Sequence, residues 1–600
     1  MNTLAVMLVV APLLAGAVVA GLSVTAFGQR VADPFGLAVA VGVTAAAVWL
    51  AVDVGDTTRV IWQGGWEPVQ GQPVGVALVV DQAALLLVCL VGVLTIAGLT
   101  WSWHFLADAG ASYVALVLLF LGACSGFVLA GDVFDAFVWF ELMGVTAYAL
   151  TGMRIEEHRS VHGALSFGIV NTVGAALSLS GIALLYARTG QLNLAAIGES
   201  LRGEPADRLV VVSCALLLTG VLVKMALVPF HFWTADAEAV APTPVCVLLS
   251  GAMVTVGAFA VARWWWVVFD GAVSETAIRQ ALVGFGTVTA VVGALMCAAQ
   301  RHLKRLLAYS TVAHSGVIAC GIGLLSGGGL AAAGLYALGH ACAKGALFLV
   351  SGTLLNRFET LDEHELYGRG RGWWLAGTTF LLGGLSLAGL PPLGTWAGKS
   401  AYSGALADAH AVWLEVVLVL VSALTGGAVL RAGLRIFVGL GDEPDPGPST
   451  HEEPEAETPP PGRALRALLP PLFLLAVPFA VALWPSVTDV ADRAGESVTD
   501  TSGYADAVLR GATVTAPPVV AEPLWEWLPV ALGVAAVLLA LVFAAAALWP
   551  SRRPRALRAA LVPVRRGMRV LHVVHRAHIG DYVSWVLVGF TVLGAALLLG

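Results

Sequence analysis

Lys224 lies deep in an apolar run, five residues before Pro229, in VKMALVPFHFWTADAEAVAPTPVCVLLSG (residues 223–251). A charge inside a hydrophobic segment is expensive and marks a functional position by default. A polar patch follows (His231, Asp236, Glu238), then Pro242 and Pro244. A helix broken at membrane depth is tolerated where it lines a cavity or is buried in protein. Glu141, in FDAFVWFELMGVTAYAL, is a second costly charge. It stands nine residues beyond Asp132, about 13 Å at helical rise, which places it near mid-membrane. Lys224 is its natural partner, since neither charge is cheap alone. Such a pair acts as a proton switch: closed, it holds both charges; open, it lets the lysine release a proton.

Only four of the 32 basic residues are lysine: Lys224, Lys304, Lys344 and Lys399. All four sit in or at the edge of apolar runs, and the most basic loop holds none of them. Lysine can lose its proton when buried, whereas arginine effectively cannot. Codon bias against lysine is the competing explanation. His340 and Lys344 are spaced i, i+4 and share one helix face. Lys304 opens a helix beside Arg301 and Arg305, where a plain positive cluster explains it equally well; His314 lies further in. Lys399 follows the Pro391-Pro392 break, so two proline-broken spans each carry a lysine near the break. Glu141, Lys224, Lys304, His340, Lys344 and Lys399 form a row of protonatable groups, as a proton relay needs.

These residues must be held by helices. The chain of 600 residues is 58% hydrophobic and only 12% charged, too little charge for a soluble surface of this size. Apolar runs of about 20 residues recur throughout, each long enough to span a bilayer. Their continuity excludes a β-barrel. The predicted fold is all-α and polytopic, with about 16 transmembrane helices. The predicted spans are 4–27, 36–52, 74–100, 112–130, 133–153, 163–187, 209–232, 243–268, 277–299, 306–325, 330–355, 373–406, 412–440, 465–484, 524–548 and 582–599. Residues 1–110 form an N-terminal group, and 111–270 and 271–440 two repeats. Residues 441–463, acidic and Pro-rich, read as a disordered loop. Residues 464–600 hold the last three helices, with a polar stretch at 485–523 and a basic amphipathic segment at 551–579 lying on the membrane surface. With this count, odd-numbered loops hold roughly 20 arginines and even-numbered ones about 8, which predicts both termini outside the cytoplasm. The seven cysteines form no CxxC pairs, and no nucleotide motif stands in a strand–helix context. No cofactor, metal or nucleic-acid partner is expected.

The stretch 223–251 is similar to a signature of the antiporter-like membrane subunits of respiratory complex I, Mrp-type Na⁺/H⁺ antiporters and membrane-bound hydrogenases. FELMGVTAYAL, LKRLLAYSTVAHSG, HACAKGALFLVSG and AGLPPLGTWAGKS extend the resemblance in family order, over roughly residues 112–437. It implies two inverted five-helix repeats with helices 7 and 12 broken. It also implies a Glu141–Lys224 pair, a central Lys344, an exit Lys399 and no redox centre in this subunit. Some members carry another lysine in helix 8, where this chain has Thr255. Helix 6 looks more like an Mrp D-type subunit, whereas HRAHIGDYVSWVL looks more like a large hydrogenase or L-type subunit. The expected function is proton translocation or Na⁺/H⁺ exchange in a multisubunit complex of the plasma membrane. The expected partners are other membrane subunits, lipid, protons and Na⁺. The alternatives are an energy-coupling subunit for inorganic-carbon uptake, decided by a neighbouring soluble zinc partner, and a non-pumping membrane scaffold.

Overall fold

A backbone surrounded by hydrocarbon has no water to bond, so each apolar run satisfies its own N–H and C=O groups as a helix. The computed structural model describes residues 2–105, 110–203, 207–443, 452–455, 466–515, 523–552, 562–563, 566–571, 575 and 578–599. Among these, twelve helices are long and apolar enough to cross a bilayer, or up to 13 with one bent pair counted as a span. They are α1 (Asn2–Leu22), α2 (Ala26–Val54), α3 (Gln82–Phe105), α4 (Gly110–Leu129), α5 (Val133–Thr151), α6 (His158–Thr189), α10 (Thr243–Phe269), α11 (Glu275–Ala299), α13 (Gly327–Phe358), α16 (Trp413–Val438), α20 (Trp527–Leu548) and α21 (Ile579–Leu599). The remainder are shorter, broken or more polar: α7 (Leu194–Leu201), α8 (Arg208–Lys224), α9 (Phe232–Val240), α12 (Leu303–Ile322), α14 (Trp374–Ala388), α15 (Trp396–Asp408), α17 (Leu469–Leu483), α18 (Val487–Thr499) and α19 (Thr501–Arg510). Adding α8–α9, α12, α14–α15 and α17 as crossings is consistent with the sixteen predicted spans.

Helices α4, α5, α6, α8–α9 and α10 form one group of five, and α11, α12, α13, α14–α15 and α16 a second. The fourth crossing of each is broken, and each break contains a cis peptide bond, at Val228-Pro229 and Pro391-Pro392. Small residues let the broken helices approach their neighbours. Gly174 of α6 lies against Gly220 of α8, and Gly398 of α15 against Tyr336 of α13. The arrangement is consistent with the two expected repeats.

Three stretches differ from the sequence reading. Ala77–Val80, expected inside the third span, is a strand (β2) paired antiparallel with β1 (Arg59–Trp62), Arg59 opposite Val80. Gly71, Pro73 and Gly75 interrupt a helix there, and Asp81 starts α3 by accepting from Ala84 N at 2.9 Å. Asp81 also pairs with the buried Arg263 of α10. The polar stretch 485–523 holds α18 and α19. Val487, Ala491, Ala494 and Val498 recur at helical spacing and are buried. Finally, Glu452–Glu455 of the acidic loop is packed against the protein, with Glu455 buried. Most of the basic segment 551–579 lies outside the described residues. Helix α20 packs on α14, α15 and α16, whereas α21 returns to α6, α8 and α11.

Candidate functional site

Pro229 has no N–H and cannot continue α8, which leaves backbone groups at the break to be satisfied otherwise. Val228 N donates to Thr289 Oγ1 at 2.9 Å, and Trp233 Nε1 donates to Val223 O at 2.9 Å. These bonds satisfy backbone groups freed at the break beside Lys224, which is 1% exposed. Its Nζ has no hydrogen-bond partner among the described residues and lies 4.5 Å from the centroid of the Phe140 ring. Gly144 leaves it room: a Cβ there would stand 2.9 Å from Nζ. Phe140 and Gly144 are four apart and share the face of α5 turned toward α8. Glu141 is one residue, about 100°, round the helix. It is half-buried, and no hydrogen bond or ion pair joins it to Lys224. The two charges act on each other only across the gap. The expected pair is open in this structure.

Lys304, in the first turn of α12, is in contrast fully engaged. Its Nζ donates to Ala241 O at 2.9 Å and to Glu455 Oε1 at 2.8 Å. The two side chains are 3% and 0% exposed. Glu455 Oε1 also accepts from Thr243 N at 2.9 Å and Thr243 Oγ1 at 2.8 Å, so it caps the N-terminus of α10. Glu455 N donates to Asn356 Oδ1 at 2.6 Å, at the end of α13. Glu452 bonds His302 at 2.9 Å, and Arg154 Nη1 donates to Glu453 O at 3.4 Å. The acidic segment thus straps together α10, α12, α13 and the connection between α5 and α6. Burial pushes the Glu455 carboxyl up, but the charges of Lys304 and Arg154 and the bonds it accepts outweigh this and hold it below its ordinary range. Burial likewise opposes ionisation of Glu452. Its bond to His302 and the charges of His302, Lys304 and Arg159 win, and it too is lowered.

His340 and Lys344 are buried on one face of α13. Lys344 Nζ donates to Leu307 O of α12. Neither ring nitrogen of His340 has a partner among the described residues. Its ring centroid lies 5.0 Å from that of His314, whose Nδ1 is 2.6 Å from Tyr336 Oη and Nε2 3.3 Å from Thr425 Oγ1. Glu238 of α9 is fully buried with both carboxylate oxygens unpartnered among the described residues. Its charge and that of Lys344 act on each other. At the second break, Lys399 Nζ donates to Ala388 O at 2.7 Å, satisfying the C-terminus of α14.

The structure thus places Lys224 and Lys399 at the two breaks, and His340 and Lys344 between them. It ties Lys304 to an outside strap and leaves Glu141 apart from Lys224. Sequence reading placed Glu238 in a polar patch but gave it no role. It missed Glu455, whose partners lie more than 90 residues away and whose surroundings look unstructured. A buried set of lysines, imidazoles and one free carboxylate can take up and release cations, protons above all. Among the described residues no cluster of three or more His, Cys, Asp or Glu could hold a metal ion.

Residues 130–425 match the family model described as NADH:quinone oxidoreductase/Mrp antiporter, TM. The chain is 32% identical to NADH-quinone oxidoreductase subunit N of Desulforudis audaxviator (strain MP104C), over 69% of this chain and 81% of that protein. It is 28% identical to the D-type subunit of the Na(+)/H(+) antiporter of Bacillus subtilis (strain 168), over 74% of this chain and 87% of that protein. Among solved structures it is similar to a chain of the Mrp complex from Dietzia sp. DQ12-45-1b. There the TM-score is 0.73 and the identity 26%, over 85% of this chain and 99% of the other.

Proposed function

The chain belongs to the NADH:quinone oxidoreductase/Mrp antiporter transmembrane family, and on that footing we propose that it is a proton-translocating subunit, exchanging H⁺ alone or against Na⁺, within a multisubunit membrane complex. One observation carries the reading: Lys224, Glu238, His340 and Lys344 are buried, Lys399 beside them is half-buried, and several members of this row lack a fixed partner among the described residues. A structural row would have every polar atom satisfied.

Movement of a charge toward Glu141 switches the row. With Glu141 apart, the Lys224 ammonium has no counter-charge, and a buried unpaired charge is costly enough that its proton leaves. Restoring the pair returns the proton. Lys344 receives charge through His340 and is balanced by Glu238; Lys399 completes the path at the second break. Glu141 is half-buried on the outside of α5, where a neighbouring membrane subunit can reach it. Lys304 is the basic anchor at the mouth of α12. The arginine-rich connections and the helix ends beside them, with Arg154, Arg301, Arg305, Arg357 and Arg435, face the cytoplasm of a cell whose plasma membrane holds the complex, with both termini outside. Residues 111–270 and 271–440 act as the two halves of the path.

Lys224→Ala and Glu141→Ala are expected to stop ion translocation in everted membrane vesicles while neighbouring subunits still co-purify. Undiminished translocation by an assembled Lys224→Ala complex overturns the reading.

A further inference from the structure

The C-terminal helix does not merely add a span. Gly589 of α21 lies against Phe230 and Pro229, so α21 covers the first break itself. Tyr582 donates to Asp236 Oδ2 at 2.7 Å, and its ring stacks on Phe232 at 4.9 Å. Just before α21, His575 reaches back to the same place. Its Nε2 is 2.8 Å from Nε2 of His231, the residue that begins α9. Its ring also packs on Phe232 at 4.8 Å and edge-on to Tyr309 of α12 at 5.8 Å.

The hydrogen bonds fix where the protons are. His575 Nδ1 lies 2.6 Å from Leu571 O, and a carbonyl only accepts, so Nδ1 carries the hydrogen. In neutral His575 the Nε2 is then bare and accepts from His231 Nε2–H. His231 Nδ1 is left as a bare nitrogen. It is buried, on a side chain of a residue 2% exposed, and has no hydrogen-bond partner among the described residues. A buried lone pair on an imidazole beside the break that follows Lys224 is a proton acceptor held ready. Asp236, Tyr582, Tyr309 and, through its charge, Arg305 are the other titratable or charged groups around the pair.

We propose that the C-terminal segment supplies half of a proton-transfer pair, in which His575 connects His231, and through it the break beside Lys224, to the arginine-rich face. This rests on the translocation reading above. The step balances without a co-reactant. His231 Nδ1 takes a proton from the interior, its Nε2–H passes to His575 Nε2, and the His575 imidazolium breaks its bond to Leu571 O and releases the Nδ1 proton to the arginine-rich side; rotation of both rings then restores the starting tautomers. The reverse sequence carries a proton inward. His575 is half-buried, which gives it the access that His231 lacks.

The test uses the full chain with its neighbouring subunits in everted vesicles. His575→Phe keeps a ring against Phe232 and Tyr309 but removes both nitrogens. It is expected to slow proton translocation about 100-fold, the scale of a lost proton-transfer group, with assembly intact. His575→Ala is expected to lose the same activity and regain it when imidazole is added. Wild-type rates in His575→Phe overturn the proposal, as does a loss in His575→Ala that imidazole does not restore, since that is the mark of a packing role. Lys224→Ala run in parallel separates the readings. If Lys224→Ala is inactive and His575→Phe is not, only the histidine pair fails; if Lys224→Ala is fully active, both fail.

Discussion

Gly144 decides what Lys224 can do. Its missing side chain is the space the ammonium occupies, so Gly144→Leu is expected to push Nζ off the Phe140 ring and abolish translocation. Overpacking should also lower stability by about 1–3 kcal/mol, read as a drop in melting temperature in detergent. Lys224→Met tests the same point from the other side. It keeps the length of the side chain and removes a buried amine that has no hydrogen-bond partner among the described residues, a cost whether or not its proton has left. It should therefore melt higher than the parent, on the order of 1 kcal/mol or more, while translocating nothing. Lys304 behaves oppositely because its charge is paired. Glu455→Ala leaves it buried and alone, which costs on the order of 3 kcal/mol. The expected sign is faster amide exchange in the first turn of α12 and in residues 452–455. At this scale the lysines were legible because charge in an apolar run is conspicuous in one dimension. The open state of Glu141 was not, since the rotation of α5 that separates it from Phe140 and Gly144 is set by packing.

The two breaks are the elements that carry the site; the first is held by Thr289 of α11, the second by Lys399 reaching back across it. At the second, Gly389 adopts φ +87°, and a Cβ there would stand 2.5 Å from Lys399 Nζ. Gly389→Ala combines left-handed strain, worth about 1–2 kcal/mol, with displacement of the amine from Ala388 O. A lower melting temperature and impaired translocation are expected together. A loss of stability with translocation unchanged would detach Lys399 from the path. The breaks were readable because proline removes a donor at a known position. The hairpin β1–β2 and the helices α18 and α19 were not. The first is a short β-branched stretch continuous with an apolar run. The other two bury a narrow stripe, mostly valine and alanine in α18 and joined by Tyr504 and Leu509 in α19, and their period of 3.6 is masked by the polar residues around it.

Across the whole molecule, the acidic segment joins the two groups of five helices at the arginine-rich end, through Thr243 on one side and Lys304 and Asn356 on the other. Glu452 and Glu455 are both held below the ordinary carboxylate range. A depressed carboxyl contributes docking energy that is fully present above its free value and disappears as pH falls through the lowered one. The strap should therefore stay shut from neutrality down to about pH 4, the usual glutamate range, and open below it. Hydrogen exchange of residues 452–455 against pH reads this directly; release on raising the pH instead would contradict the assignment. Composition reads this loop as too acidic and Pro-rich to build a core, and composition cannot show four residues finding a basic pocket prepared by other helices.

The strap is also tethered at both ends, by α16 and α17. A segment on a short leash faces its pocket at an effective concentration of about a millimolar. A few ionic contacts, too weak to hold a free peptide at micromolar concentration, then suffice. A soluble copy of residues 452–455 should consequently fail to displace the native one until it approaches that concentration. Cutting the chain once beside the strap should leave it seated on its remaining tether, and only a cut on each side should let it diffuse away.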